Sequence, residues 1–298
     1  GFGMELRVLQ YFLAVTREQS ISGAAEALHL SQPTLSRQLK DLEEELGKQL
    51  LIRGSKKVTL TEDGMLLRKR AEELVDLMEK MKAELASSDE NINGDVYIGC
   101  GETEGISLFA KAAHNLQEKH PLIRYHIYSG DASRVIEKLD KGLIDFGLFV
   151  GSIDITKYDY IKLPMKDVWG VLMPNDSPLS DKDTVAAQDL WDKPLIVSHQ
   201  ASGNSEVISW LKTDISRLHI VATYDLVYNA AKFVEKGFGY VIALDKIINT
   251  TGSSNLCFRP LYPALEAELC IAWKKHQILS RSSAAFLQQL QKELETAE

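Results

Sequence analysis

The sequence is poor in cysteine and in long apolar runs. Its 298 residues include only three cysteines, Cys100, Cys257 and Cys270, an odd number at wide spacing that does not suit a secreted disulfide framework. No apolar run approaches the roughly 20 residues that a membrane-spanning helix needs. The N-terminal residues lack the pattern of a secretory leader. We therefore expect a cytoplasmic protein without a membrane partner.

Positive charge is also scarce. The chain has 34 Lys/Arg against 42 Asp/Glu, a formal net charge of −8, which makes it a poor general binder of polyanions. Residues 1–57 are the exception, with eight Lys/Arg and seven Asp/Glu. Any nucleic-acid site must therefore be local, and we expect it in this N-terminal segment.

Motifs for catalysis are missing as well. The sequence has no phosphate-binding GxxxxGK, no nucleophile elbow and no paired-cysteine motif. Its histidines are scattered without the spacing of metal ligands. We expect neither enzymatic activity nor a metal or cofactor.

The N-terminal segment is rich in helix signals. Apolar residues recur at helical spacing from Leu6 to Thr16. Ser20 and Ser31 are placed to cap a second and a third helix, and Pro33 suits the first turn of the third. Gly47 is placed to end that helix. Two short strand-like pieces follow, separated by a turn that carries Lys56 and Lys57.

The third helix carries small polar side chains opposite its leucine stripe. Glutamine can pair with adenine, arginine can pair with guanine, and threonine or proline can contact the methyl group of thymine. Together with the basic turn, this face predicts a winged helix-turn-helix, mainly α-helical, that binds double-stranded DNA. A solvated helix face is the alternative. The predicted DNA-binding residues are Ser31, Gln32, Pro33, Thr34, Ser36, Arg37, Lys40, Arg53, Lys56 and Lys57.

A heptad pattern follows between Thr61 and Leu85. It places apolar residues at positions a and d and predicts a long linker helix that dimerises as a coiled coil. The alternative is a helix packed only on its own domain. The predicted seam is Leu67, Ala71, Leu74, Met78, Met81 and Leu85.

The remainder alternates between strand-like and helical stretches in two sets, which predicts a multidomain chain ending in two α/β subdomains. The expected domains are a winged helix-turn-helix at 4–61, a dimerisation linker helix and hinge at 62–93, and an α/β domain at 94–298 to which the family resemblance described below gives an effector-binding regulatory role. Within the last domain, the first subdomain is expected at 94–164 plus 267–298, and the second at 165–266.

Ligands of open α/β sheets bind beyond the carboxyl ends of the strands. Four such loops provide the candidate effector residues, and ordinary helix capping is the alternative for any one of them. Because Glu102, Glu104 and Asp131 would repel a bare carboxylate, we expect an effector with an amine or several hydroxyls. The candidates are Glu102, Thr103, Gly130, Asp131, Gln200, Ser202, Gly203, Asn204 and Thr223.

The stretches "QYFLAV", "AAEALHLSQPTLSRQLKDLEEELGKQLLIR" and "VTLTEDG" closely resemble the DNA-binding domain of LysR-type transcriptional regulators. One departure is Leu51-Ile52, where family members often have Phe before the Arg. The resemblance implies an effector domain like a periplasmic solute-binding protein, with a small inducer in its cleft. It also implies a homodimer or tetramer on an interrupted palindrome, with RNA polymerase as a possible further partner.

Two alternatives remain for the C-terminal region. Peroxide sensors of this family use a cysteine pair, whereas the three cysteines here fit small buried hydrophobes. A solute-binding transport component would fit the C-terminal pattern but not the N-terminal DNA-binding one.

Overall fold

The computed structural model describes residues 3–86, 92–151, 153–154, 156–199 and 205–296. Contacts divide the chain into an N-terminal unit, Gly1–Ala86, and a C-terminal unit, Ser87–Glu298. The elements of the N-terminal unit are α1 (Leu6–Glu18), α2 (Ile21–Leu28), α3 (Gln32–Leu46), β1 (Leu51–Arg53), β2 (Val58–Leu60) and α4 (Glu62–Ala86).

Helix α1 begins at Leu6 as predicted and ends at Glu18, two residues beyond the predicted Thr16, while α2 and α3 begin directly after the predicted caps. Ser20 Oγ accepts a hydrogen bond from Gly23 N at 3.0 Å, and Ser31 Oγ accepts one from Thr34 N at 3.3 Å. Helix α3 ends at Gly47, whose φ of 65° lies in the left-handed region that favours glycine. The inner faces of the three helices pack around Phe12, which is fully buried.

Strands β1 and β2 form an antiparallel hairpin, which is the predicted wing. The carboxylate of Glu43 on α3 accepts a hydrogen bond from Leu50 N at 2.7 Å and so fixes the start of the wing against the helix. Thr61 caps α4, because its Oγ1 accepts a hydrogen bond from Gly64 N at 3.0 Å. Helix α4 then continues for 25 residues, as the heptad pattern predicts.

The C-terminal unit is an α/β structure. Its elements are β3 (Asp95–Cys100), α5 (Ile106–Gln117), β4 (Arg124–Ser129), α6 (Ala132–Asp140), β5 (Phe146–Val150), β6 (Tyr158–Pro174), α7 (Ala187–Leu190), β7 (Leu195–Ser198), α8 (Glu206–Trp210), β8 (Ile220–Tyr224), α9 (Val227–Glu235), β9 (Tyr240–Leu244), β10 (Leu256–Pro260), β11 (Glu266–Lys274) and α10 (Arg281–Thr296).

The strands lie in the order β4-β3-β5-β11-β6-β9-β7-β8, with β10 paired to β6. The outer strands are parallel: β3 pairs in parallel with β4 and β5, and β7 pairs in parallel with β8 and β9. The pairings of β6, β10 and β11 are antiparallel. The expectation of parallel sheets therefore holds for the two ends of the sheet and fails in its middle.

The middle of the sheet joins two halves of the unit. Strand β6 runs for 17 residues, pairing with β11 from Tyr158 onward and with β9 between Trp169 and Leu172. The sequence predicts only a separate strand at "DVWGVLMP". The preceding stretch "YDYIKLPMK", which is the first part of β6, carries several charged residues and lacks the apolar pattern of a buried strand. The proposed boundary at 164/165 thus falls inside β6. Strand β11 and helix α10 pack with β5, β3 and α5, as expected for a return to the first half.

Each half has its own apolar core. Phe146 and Phe286 are fully buried in the first half, where α5 and α10 pack on the sheet. Met173 and Leu195 are fully buried in the second half. Helix α6 packs on the first half through Val135, and α9 packs on the second half. Both helices begin at the carboxyl ends of strands, where the candidate effector site lies.

Candidate functional site

The first candidate site is the outer face of α3 in the N-terminal unit. Leu35 and Leu39 are buried on the inner face, which turns the intervening polar side chains toward solvent. The exposed residues are Ser31, Gln32, Pro33, Thr34, Arg37 and Lys40, and Ser36 is half-buried. This face is free of the unit's own core and presents amide, hydroxyl and guanidinium groups.

The wing contacts this face through one side chain. Arg53 Nη1 on β1 donates a hydrogen bond to Ser36 Oγ on α3 at 3.0 Å. Lys56 and Lys57 are exposed in the turn between the strands, which Gly54 N closes by donating to the carbonyl of Lys57 at 3.1 Å. The structure therefore brings the polar helix face and Arg53 of the basic wing into contact.

The heptad seam of α4 divides into two parts. Ala71 is fully buried and Leu67 packs on the core of the N-terminal unit. Further along, Leu74, Met81 and Leu85 have exposed fractions of 47%, 51% and 78%. The beginning of the seam thus packs within its own unit. Leu74, Met81 and Leu85 form an exposed apolar stripe, and Met78 between them is half-buried.

The second candidate site is a cavity of about 440 Å³ in the C-terminal unit. Its wall draws on the first half of the unit through β3, β4 and α6, and on the second half through β7, β8 and α9. The lining residues are Gly101, Glu102, Ser129, Gly130, Asp131, Ala132, Arg134, Val135, Leu148, Phe149, Val150, Trp169, Ser198, Tyr224, Asp225, Leu226, Val227, Ala243, Leu244 and Ile247.

The predicted effector residues fall into three groups. Glu102, Gly130 and Asp131 lie on the wall of the cavity, whereas Thr103 and Thr223 are not among the lining residues. Ser198 marks the end of β7, so the loop that follows it starts at the cavity. The remaining four candidates, Gln200, Ser202, Gly203 and Asn204, lie outside the described residues.

Thr103 is buried and belongs to the framework of the cavity. Its hydroxyl donates a hydrogen bond to Asp167 Oδ2 on β6 at 2.6 Å and accepts one from Gly105 N at 3.1 Å. Burial raises the pKa of the Asp167 carboxyl, while the Thr103 hydroxyl opposes that rise. The expectation of a ligand contact at Thr103 followed from its place after β3, whereas its partner Asp167 lies 64 residues away along the chain and has no local signal.

Asp131 caps α6 at one side of the cavity. Its Oδ1 accepts a hydrogen bond from Arg134 N at 2.9 Å, and this bond is the main reason that the pKa of the carboxyl is lowered. A negative charge at a helix N-terminus is favourable because it faces unpaired amides and the positive end of the helix dipole. The amide of Arg134 therefore already has an acceptor.

Glu102 bridges the cavity. It follows β3 in the first half, and its Oε1 accepts a hydrogen bond of 2.6 Å from Val227 N, the first residue of α9 in the second half. Burial raises the pKa of the Glu102 carboxyl, and the Val227 amide opposes that rise. Burial is the main reason that the pKa of Tyr224 is raised, and the nearby Glu102 carboxylate raises it further.

The apolar residues of the cavity wall were not among the predicted effector residues. Phe149 and Val150 end β5, so the strand-end rule could have found them. Trp169 belongs to an antiparallel segment of β6, to which that rule does not apply. Leu226 and Val227 could have been found as the start of the helix after β8.

The cysteines lack the setting of a reactive pair. Cys100, Cys257 and Cys270 are free and buried. Burial raises the pKa of each thiol, to about 11 for Cys270, which lowers the fraction present as the reactive thiolate. Across the described ranges, no group of three or more His, Cys, Asp or Glu residues is placed to hold a metal ion. In the same ranges, no helix combines the length and apolar character needed to span a bilayer.

Family comparisons cover nearly the whole chain. Residues 6–65 match the family described as "Bacterial regulatory helix-turn-helix protein, lysR family", and residues 89–295 match the "LysR substrate binding domain". The chain belongs to the LysR family of transcriptional regulators. As a LysR-type regulator, it joins a sequence-specific DNA-binding unit to a regulatory domain. The regulatory domain binds a small-molecule effector, which controls the activity of the regulator.

Individual relatives agree with this LysR assignment. The transcriptional regulator BsdA of Bacillus subtilis is 30% identical over 220 residues, which cover 73% of this chain and 74% of the relative. The Hca operon activator HcaR of Escherichia coli is 27% identical over 282 residues, covering 92% and 93% of the two chains. Full-length CbnR, solved with its target DNA, shares the fold, with a TM-score of 0.76 at 18% identity over 97% of this chain and 100% of CbnR.

Proposed function

We propose that the outer face of α3 and the wing form the operator-binding surface of this regulator. The observation that carries the proposal is the exposed polar face of α3, joined to the wing by the hydrogen bond between Arg53 and Ser36. Gln32, Thr34 and Arg37 are suited to base edges in the major groove. Ser36 and Pro33 allow close approach of the helix.

The basic residues have a different role in this proposal. Lys40, Lys56 and Lys57 are exposed and are suited to phosphates, as are the backbone amides at the start of α3 behind Ser31. Arg53 is held by Ser36, which gives its guanidinium a fixed place beside the helix. Phosphate contacts position the helix without selecting the sequence.

The regulator acts as a homodimer or tetramer in this proposal. The exposed stripe of Leu74, Met81 and Leu85 would be covered by α4 of a second copy. Two binding helices related by a two-fold axis recognise an interrupted palindrome. RNA polymerase is a further partner of a regulator bound next to a promoter. The site of action is the cytosol, and the protein has no catalytic role.

The effector binds in the cavity between the two halves of the C-terminal unit. Glu102, Gly130 and Asp131 contact it, together with residues 202–204 and Gln200 of the loop after β7. Thr103 supports the loop that holds Glu102, and Thr223 precedes the wall residue Tyr224. Cavities of this size, mainly apolar with a few polar groups, are typical of small-molecule sites.

Selection of bound fragments from the source genome with the purified full-length protein, at near-physiological salt, tests the operator proposal. We expect enrichment of an interrupted palindrome with the wild type, and a palindrome with a relaxed preference at one base pair of each half-site with the Arg37→Ala variant. The selection is run with and without a cell extract as a source of effector. Salt-sensitive binding without sequence enrichment in either condition would refute the assignment of the α3 face.

A further inference from the structure

Glu102 occupies the position in the cavity that a ligand carboxylate would otherwise prefer. Its Oε1 accepts a hydrogen bond from Val227 N at the start of α9, a helix of nine residues. A helix N-terminus is a favourable site for an anion because its first amides lack partners and its dipole is positive. A carboxylate ligand would have to displace Glu102 from this site.

The other helix start at the cavity is filled in the same way. Asp131 accepts hydrogen bonds from the amide of Arg134 at 2.9 Å and from Ser133 Oγ at 2.8 Å. The chain therefore supplies its own carboxylate to α6 as well as to α9. An acidic ligand finds neither helix start vacant.

The charges on the cavity wall also disfavour an acidic ligand. The lining residues include three carboxylates, Glu102, Asp131 and Asp225, and one guanidinium, that of Arg134. Arg134 is exposed, whereas Glu102 is half-buried. Water and salt therefore screen the positive charge of Arg134 more than the negative charge of Glu102. An anion entering the cavity meets an unfavourable field, and a cation meets a favourable one.

Glu102 also has an acceptor to spare. Its Oε1 is used by Val227, and within the described part of the chain its Oε2 has no hydrogen-bond partner. A half-buried carboxylate oxygen is a strong acceptor for a charged N–H donor. The lining of the same cavity includes the apolar side chains of Phe149, Trp169 and Ile247.

We propose that Glu102 determines the specificity of the effector site and selects a ligand with a protonated amino group on a compact apolar body. The amino group donates to Glu102 Oε2, while Oε1 remains on the amide of Val227. Because this carboxylate joins the two halves of the unit, the ligand binds the arrangement in which both halves face the cavity. This inference rests on the proposed effector site and adds the chemical class of its ligand.

Three probes that share a phenyl ring test the head-group preference: benzylamine, benzyl alcohol and benzoate. Binding to the full-length protein is measured at neutral pH by calorimetry, with ligand-detected NMR for weak affinities. We expect benzylamine to bind about ten-fold more tightly than benzoate, because a charge-assisted hydrogen bond replaces a like-charge contact. Equal or tighter binding of benzoate, or no binding of benzylamine, would overturn the inference.

Two matched variants separate Glu102 from general charge. In Glu102→Gln, we expect the preference for benzylamine over benzoate to disappear. In Glu104→Gln, which removes the same charge two positions away at a residue absent from the wall, we expect it to persist. A preference that survives Glu102→Gln, or disappears equally in both variants, would overturn the role of Glu102.

Glu102→Asp covers the case in which the Gln variant fails to fold. It keeps the charge, and we expect it to keep the preference for the amine. A preference for benzoate in this variant would count against the inference. Failure to enrich a palindrome in the genomic selection would count against the proposed operator surface alone, since the probe measurements need no DNA.

Discussion

The hydroxyl of Thr103 lies 2.6 Å from Asp167 Oδ2 and joins the loop after β3 to the strand that links the two halves of the C-terminal unit. Both residues are buried, with exposed fractions of 5% and 6%. Since Glu102 directly precedes Thr103 in this loop, the bond also positions the carboxylate that contacts α9. The framework of the cavity thus depends on a buried acidic group.

Asp167 makes the stability of this unit depend on pH in an identifiable direction. Burial raises its pKa in the folded state above the unfolded value, so the folded state binds the proton more tightly. The contribution of Asp167 to the free energy of unfolding therefore falls as pH rises from about 4, the pKa of an unfolded Asp, through the raised pKa of the folded state. Asp167→Asn should remove this fall while retaining an acceptor for Thr103.

Urea unfolding between about pH 4 and 8, followed by tryptophan fluorescence, measures this dependence. The chain has four tryptophans, Trp169, Trp191, Trp210 and Trp273, all in the C-terminal unit, so the signal reports that unit. Thr103→Val should steepen the fall, because it removes the donor that opposes the rise in pKa. Parallel pH profiles for the wild type and Asp167→Asn would contradict the prediction.

The N-terminal unit was predictable from sequence because its signals are local. Ser20, Ser31 and Gly47 act within one turn of the helix that they begin or end, and the leucine stripe of α3 lies within a single helix. The heptad pattern predicted the extent of α4. It did not predict which seam residues are buried, because the burial of Leu67 and Ala71 depends on neighbours from other helices.

The effector cavity was predictable only in part. The strand-end rule located the loops after β3, β4 and β8, because it depends on the direction of parallel strands. It could not predict the hydrogen bond between Thr103 and Asp167, which lie 64 residues apart along the chain. Nor could it predict the hydrogen bond between Glu102 and Val227, which lie 125 residues apart. It also could not find Trp169, since β6 is antiparallel to its neighbours.

Gly64 is required where α4 begins against the wing. A Cβ atom built at this position would lie 2.1 Å from the carbonyl oxygen of Leu50, so the backbone of α4 or of the wing would have to move. Although Ala is the better helix former, Gly64→Ala should destabilise the N-terminal unit by about 1–3 kcal/mol through overpacking. Hydrogen exchange of the full chain, resolved by peptide, should show lower protection around residues 50–67.

Gly23→Ala is the matched control for this substitution. Gly23 also lies in a helix, but a Cβ atom there would make only ordinary contacts, the nearest with Ser20 Oγ at 3.4 Å. Because Ala favours the helix, protection around α2 should be unchanged or higher. Equal loss of protection in both variants would show that the approach of Gly64 to Leu50 is not the cause.

The exposed part of the α4 seam predicts how the protein associates. Met81→Glu places a charge in the middle of the stripe formed by Leu74, Met81 and Leu85, and should dissociate the dimer. Sedimentation velocity at micromolar concentration measures the change. Lys82→Glu, at the adjacent exposed position, adds negative charge outside the seam and should leave the mass unchanged. A Met81→Glu protein with the mass of the wild type would place the main dimer contact elsewhere.

Arg37 and Lys57 should differ in how they affect DNA binding. If Arg37 contacts a base edge, Arg37→Ala weakens binding to the selected operator by about 1–3 kcal/mol and relaxes the preference at one base pair. If Lys57 contacts a phosphate, Lys57→Ala weakens binding to all sequences alike and lowers the salt dependence by about one counterion. Titrations of the operator and of a scrambled duplex at several salt concentrations separate these effects.

Arg7→Ala provides the control for loss of one positive charge in the same unit. Arg7 is exposed on α1, where it pairs with Glu5 at 3.2 Å, and it lies outside the proposed DNA-binding surface. Its removal should change operator binding less than either of the other substitutions. If Arg37→Ala and Lys57→Ala weaken both duplexes equally, the helix face and the wing both contact phosphates, and base recognition must come from Gln32 and Thr34.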